Sequence, residues 1–221
     1  MNLSTDTLAI LKNFSEINNN ILFKPGNKLH TISAMKNVLA EATITEKFET
    51  EFGIYDLTEF LGAVELFDKA AVKINGENYA VISDEKTKQI IKYFFADKSV
   101  LKYPEKGIKM PDKEVAFTLK KDDFAQVQKA ATRLNAPDIA VKGDGKKISI
   151  IAMDKINKSS NEYSLVLGET DKKFTAYFKA ENFKMISDDY DVAISKQKIS
   201  NFISRNKPIQ YWIALEPDSE F

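Results

Sequence analysis

The sequence predicts an α+β fold built twice, and three observations carry that prediction. The first is an internal repeat. Leu3-Ser-Thr-Asp6-Thr-Leu8-Ala9-Ile-Leu11 returns 116 positions later as Leu119-Lys-Lys-Asp122-Asp-Phe124-Ala125-Gln-Val127. Tyr55-Asp-Leu57-Thr-Glu-Phe60 returns 123 positions later as Phe178-Lys-Ala180-Glu-Asn-Phe183. An ordered repeat of this length points to two copies of one domain. The second observation is that each half mixes helical periodicity with short strand-like runs. The third is that most strand connections are too short for a crossover, which makes the sheets largely antiparallel.

In the first half, residues 4–18 read as a helix. Ser4 is its N-cap, Leu8, Leu11, Phe14 and Asn18 form one side, and Ala9, Lys12, Asn13 and Glu16 the other. Strands are expected at 21–24, 28–33 and 38–44, the first two parted by the turn Pro25-Gly26-Asn27. Asp56 caps a second helix over 57–67, which buries Leu57, Phe60, Val64 and Phe67. Strands at 72–75 and 79–83 flank the hairpin signal Asn75-Gly76, and 89–95 is a third strand. Residues 97–113 hold five lysines and two prolines with few periodic apolar positions. They read as a connector between domain 1–96 and domain 114–221.

The second half restarts with a strand at 114–119 and a helix over 121–134. That helix buries Phe124, Val127, Ala131 and Leu134 and turns Ala125, Gln126, Lys129 and Arg133 outward. Strands follow at 138–142 and 147–152, joined by Gly143-Asp144-Gly145, then at 163–167 and 174–178. A short helix is expected at 181–187, then strands at 191–195, 199–204 and 208–215. The acidic stretch 216–221 reads as a mobile tail.

Composition excludes several classes of chemistry. With no cysteine there is no disulfide, thiolate site or cysteine nucleophile, a pattern that fits a reducing compartment. No apolar run is long enough for a membrane span, and no charged-then-apolar leader precedes the first helix. His30 is the single histidine and lies in a strand-like run without ligand-spaced partners, so a structural or surface role is expected. No Walker loop occurs, and Gly143-x-Gly145 lies between strands, a hairpin turn rather than a phosphate cradle. No cofactor is implied. Asp188, Asp189 and Asp191 are the one acidic cluster that could hold Mg²⁺ for a nuclease or another phosphoryl-transfer enzyme, although Ser-Asp-Asp-Tyr-Asp after a helix also reads as a turn.

Lys and Arg number 32 and Asp and Glu 32, so the formal net charge is zero. A protein that grips nucleic acid through phosphates alone is usually basic. Lys12, Lys129, Arg133 and Lys184 stand out because each falls on the outer face of an expected helix, with Lys121 a lesser candidate. The second helix is acidic, with Asp56, Glu59 and Glu65.

These residues also carry a family resemblance. Leu3-Ser-x-Asp-Thr-x-x-x-Leu-Lys-Asn-Phe-x-x-Ile-Asn18, Ile54-Tyr-Asp-Leu-x-x-Phe-Leu-Gly62, Tyr163-Ser-Leu-x-Leu-Gly168 and Ala214-Leu-Glu-x-Asp-Ser219 occur in order along the chain. As a set they resemble the sliding clamps of T-even-type tailed bacteriophages, members of the DNA clamp superfamily. The resemblance implies a DNA clamp fold and a homotrimeric ring around duplex DNA. It implies no catalysis, indifference to DNA sequence, and work in the cytoplasm of an infected host cell. Its partners would be a DNA polymerase and an ATP-driven clamp loader.

Two helices per half in three copies make twelve, which at about 9 Å each would line a circle of roughly 110 Å. Lys12, Lys121, Lys129, Arg133 and Lys184 would line the hole. Copies would join through edge strands carrying Ile90, Ile91 and Tyr93 on one side and Tyr163, Leu165 and Leu167 on the other. A partner peptide would meet Met110, Tyr211, Ile213, Leu215 and Pro217, between the connector and the last strand.

Overall fold

A computed structural model describes residues 1–76, 78–84 and 86–221. They form two compact units, Met1–Gly107 and Ile108–Phe221. The division falls inside the 97–113 segment.

In the first unit α1 (Thr5–Ile17) is followed by β1 (Ile21–Phe23), β2 (Gly26–Ile32), β3 (Val38–Phe48) and β4 (Phe52–Ile54). Then come α2 (Leu57–Glu65), β5 (Ala71–Asn75), β6 (Tyr79–Ser83) and β7 (Ile90–Phe94). Ser4 caps α1 as expected, its Oγ accepting from the Thr7 N–H at 3.2 Å. The buried face of α1 is Ile10, Leu11, Phe14 and Ile17. Asn13, expected outside, is buried, because the helix packs against both α2 and β3 and so covers a wider arc. The helix α2 stops at Glu65, short of the expected 67, although Phe67 remains buried.

All pairings within this unit are antiparallel: β1 with β4, β2 with β3, and the order β5–β6–β7. The core is aromatic. Phe23 stacks on Phe52 at 4.5 Å, Phe52 on Phe95 at 4.6 Å, and Phe48 meets Phe23 edge-on at 4.8 Å. Residues 97–102, the start of the expected connector, are fastened to this unit. A 3-10 turn, Lys98–Val100, is capped by Asp97, and the Lys102 N–H donates to Asn20 Oδ1 at 2.9 Å. Leu101 lies so close over Gly53 that a Cβ there would come within 2.4 Å of it.

The second unit runs β8 (Val115–Leu119), α3 (Lys121–Leu134), β9 (Asp138–Asp144), β10 (Lys147–Met153), β11 (Tyr163–Glu169) and β12 (Lys173–Lys179). It ends with β13 (Tyr190–Ser195), β14 (Ile199–Ser204) and β15 (Ile209–Ala214). One sheet has the order β11–β10–β9–β12, and β8, β13, β14 and β15 pair in the order β8–β13–β14–β15, all antiparallel. The helix α3 buries Phe124, Val127 and Ala131 and ends at Asn135, a left-handed residue at φ 51°. Leu134, expected in the core, is 37% exposed. Trp212, the single tryptophan, is buried on β15, and its Nε1–H has no acceptor among the described residues.

The helix expected at 181–187 does not form. A single 3-10 turn, Ala180–Asn182, stands there. Phe183 and Met185 are both buried in an irregular segment, and the backbone of Ile186 is claimed by side chains. Its N–H donates to Tyr211 Oη at 3.1 Å, and its carbonyl accepts from Tyr190 Oη. Those bonds occupy the groups a helix would need.

The 216–221 stretch is not mobile either. It lies along β12, with the Glu220 N–H donating to the Thr175 carbonyl at 2.8 Å and Phe221 stacked on Phe174 at 6.2 Å. His30 is half-buried with Nε2 3.1 Å from Glu41 Oε2, a structural pairing. Burial first, with Lys24 and Lys28 adding to it, lowers its pKa against the opposing pull of Glu41.

Candidate nucleic-acid interface

Each helix presents one solvent-facing stripe. Successive residues turn by about 100°, so Lys121, Ala125, Lys129 and Arg133 of α3 share an arc, and all four are exposed. Asp122 lies on the same arc, which still carries an excess of positive charge. Among the described residues none of Lys121, Lys129 and Arg133 is in an ion pair. The stripe of α1 holds Ala9, Lys12 and Glu16 behind Asp6, and α2 presents Glu59, Gly62 and Glu65. Charge is therefore sorted by helix, with α3 the cationic one. Ala9 and Ala125, equivalent in the repeat, are both exposed at mid-helix.

Lys184 is exposed but sits on the irregular segment rather than on a helix. That segment is tied to α3, since Gln128 Nε2 donates to the Phe183 carbonyl at 3.0 Å. Lys184 thus follows directly on a residue whose backbone is held by α3, a link that its own periodicity does not reveal. Lys12 belongs to the other unit.

Both leading helices of the repeat receive a carboxylate from far along the chain. Glu46 accepts from the Ser4 N–H and, at 2.5 Å, from Thr7 Oγ1 at the start of α1. Asp189 Oδ1 accepts from the Lys121 N–H at 2.7 Å at the start of α3, where Lys120 offers no side-chain cap.

The Asp188–Asp191 cluster is accordingly dispersed and builds structure. Burial acts to raise the Asp188 carboxyl, but hydrogen bonds from Ser204 (2.5 Å), Asn206 (2.5 Å) and the Asp189 N–H (2.8 Å) outweigh it and hold it below the usual range. Asp191 is exposed, 3.7 Å from Arg205. The three carboxylates have separate duties, and no group of three potential metal ligands converges among the described residues. Asp189→Ala should remove the α3 cap and cost about 1 kcal/mol. Thermal unfolding should then fall by about 2–4 °C, while Asp191→Ala should leave the midpoint unmoved.

Two of the edge strands are those expected to join copies. β7 pairs with β6 alone and β11 with β10 alone. In β7 the Phe95 N–H donates to the Asn78 carbonyl and the Gln89 carbonyl accepts from the Asp84 N–H, so odd-numbered residues aim their backbone at β6. Ile90, Lys92 and Phe94 therefore aim theirs outward. Ile90 is 69% and Phe94 66% exposed, and Lys92 Nζ lies 4.0 Å from the Tyr79 ring centroid. Tyr93 faces inward. Its hydroxyl donates to the Asp56 carbonyl at 3.0 Å and its ring meets Phe60 edge-on. Burial first, then Glu59 and Asp56, pushes that hydroxyl up to about 12. Ile91, Tyr163, Leu165 and Leu167 are partly exposed, and Val166 is 54% exposed.

The expected apolar groove is only partly present. Tyr211 and Ile213 have no exposed surface and Leu215 almost none, because inward-facing positions of β15 are core positions. Met110 is half-exposed and Pro217 exposed. Gln197 Nε2 donates to Asp112 Oδ2 at 3.4 Å, and the Leu215 N–H donates to the Lys198 carbonyl at 2.9 Å. The β13–β14 turn thereby touches both the segment that follows Met110 and the one that leads to Pro217.

Comparison with known proteins adds sequence and fold relatives. Residues 4–101 match the family model for DNA polymerase processivity factor, and residues 116–217 that for the gp45 sliding clamp, C terminal. The chain is 33% identical to the sliding clamp of Vibrio phage KVP40, over 98% of this chain and 99% of that one. It is 32% identical to the sliding clamp of Enterobacteria phage T4, over 99% and 98%. In fold it is similar to PCNA from Thermococcus kodakaraensis, at TM-score 0.71, 16% identity and 98% and 99% coverage. It is also similar to the H. pylori beta clamp, at TM-score 0.69 and 15% identity, over 95% of this chain and 63% of that one.

Proposed function

Because the chain belongs to the sliding clamps of T4-like phages, we propose that it encircles duplex DNA as a homotrimeric ring and tethers the replicative DNA polymerase, conferring processivity without catalysis. The observation that carries this reading is the sorting of charge in a neutral chain. The single cationic helix stripe lies on α3, and the clamp relatives match over both halves.

A ring holds DNA by topology, so it needs weak phosphate contacts rather than a basic grip; strong ones would be broken and remade at each sliding step. Lys121, Lys129, Arg133 and Lys184 serve as that lining in one unit and Lys12 in the other, indifferent to base sequence. The helix count differs from the twelve read from sequence. Three α-helices per chain among the described residues make nine, and residues 180–189 stand in the place of a fourth.

Copies join by pairing the outward side of β7 with that of β11 in the next copy. An ATP-driven loader opens the ring, and polymerase and loader dock through a short apolar peptide at Met110 and Pro217, with Tyr211, Ile213 and Leu215 supporting that surface from beneath. The work takes place in the infected host cell, and no described helix is long and apolar enough to cross a membrane.

The test is retention after loading. The chain should stay on closed circular DNA and leave linear DNA through its ends. Equal retention on both templates removes the ring.

A further inference from the structure

The sheet β11–β10–β9–β12 has two edges, and they are treated differently. β9 covers the inner side of β12 along its whole length. On the outer side the Thr175 N–H donates to the Glu220 carbonyl at 2.9 Å, and the Glu220 N–H donates to the Thr175 carbonyl at 2.8 Å. The Tyr177 N–H donates to Ser219 Oγ at 2.9 Å, and the Tyr177 carbonyl accepts from the Glu216 N–H at 2.8 Å. Every outward backbone group of Thr175 and Tyr177 is thus occupied by residues 216–220.

Side chains fasten that segment down. Lys155 Nζ lies 2.8 Å from Asp218 and 3.5 Å from Glu216, and Lys198 Nζ is 5.3 Å from the Phe221 ring centroid. The first unit repeats the arrangement on β5, where Val72 exchanges two 2.8 Å backbone bonds with Met1, while β7 at the other edge stays open.

We propose that residues 216–221 are an edge seal: they remove β12 from self-association and leave β11 as the one edge of its sheet that a second copy can join. This rests on the ring reading above. With β12 closed, the sheet β11–β10–β9–β12 can take a neighbour at β11 alone and so in a single way, which a closed ring requires. An open β12 would let the same sheet be joined from both sides and admit side-on additions that do not close.

The experiment compares the intact chain with Glu220→Pro, which deletes the N–H facing Thr175, and with a chain ending at Asp218. Amide hydrogen exchange and sedimentation velocity are measured over a concentration series. In the chain ending at Asp218 the Thr175 and Tyr177 amides lose their acceptors, the Glu220 carbonyl and Ser219 Oγ, and should exchange about tenfold faster, the loss of roughly one hydrogen bond's protection; Glu220→Pro, which breaks the reciprocal bond, should speed Thr175 alone. Species heavier than three copies should appear and grow with concentration.

If the amides open and the mass distribution stays that of the intact chain, the seal is refuted and the ring reading stands. If the amides remain protected, the segment does not hold the edge and the inference also falls. An intact chain that never exceeds one copy overturns the ring reading itself, and with it this inference. That failure shows in the unmodified protein and so is distinguishable from the other two.

Discussion

Lys92→Pro is expected to leave each chain folded and to abolish the ring. Proline removes one backbone N–H, and at position 92 that N–H points away from β6, so the sheet β5–β6–β7 keeps its own ladder. Between copies the change removes a hydrogen bond and strands its acceptor. At about 0.5–1.5 kcal/mol for the bond and about 1–3 for the orphaned carbonyl, each junction weakens by about one to three orders of magnitude. A closed trimer has three such junctions. In sedimentation velocity the intact chain should run as three 25.0 kDa copies and the variant as one. Lys92→Ala is the control. It discards the contact with the Tyr79 ring but keeps the N–H, and it should still form the ring. Assembly that survives proline would rule out β7 as the joining edge.

The double change Lys129→Glu with Arg133→Glu is expected to reduce loading onto DNA at least tenfold at moderate salt while the trimer mass stays the same. Both side chains are exposed on α3, and neither is in an ion pair among the described residues, so the fold loses little. Each reversal shifts the local charge by two, in all three copies, against a polyanion whose contacts depend steeply on the number of cations. The loss should deepen as salt is lowered, because repulsion is then less screened. The same pair of changes at Glu59 and Glu65 of α2, written as Glu→Gln, should not lower loading. Unchanged loading by the α3 variant would move the lining elsewhere.

Local pattern made much of this molecule legible. Ser4 before Leu8, Leu11 and Phe14 defines α1; the 3–4 spacing of Phe124, Val127 and Ala131 defines α3 and its outer stripe. The short hairpin turns require antiparallel sheets, whereas the choice of the strands near β7 and β11 as joining edges came from the family resemblance and not from any local pattern.

What sequence could not supply depended on partners distant along the chain. The spacing around Phe183 and Met185 suits a helix, yet two tyrosine hydroxyls hold Ile186 in an irregular strut. The 216–221 stretch is polar and follows the last strand, which suggests a loose end until Thr175 and Tyr177 are seen to need its backbone. The three aspartates look like a metal cluster in one dimension and cap, brace and pair separately in three. Tyr93 alternates as an edge residue should, but its side faces α2. Tyr211 and Ile213 are expected to wall a groove between the connector and the last strand, yet both are fully buried on β15, and Trp212 between them is buried too.

The buried indole of Trp212 offers a spectroscopic consequence. It is the chain's single tryptophan and lies on β15 of the second unit, whereas two of the three described α-helices, α1 and α2, lie in the first. Intrinsic emission therefore reports the melting of one half, and far-ultraviolet ellipticity is weighted toward the other. Coincident transitions by the two signals would mark a single cooperative unit, and separated ones two.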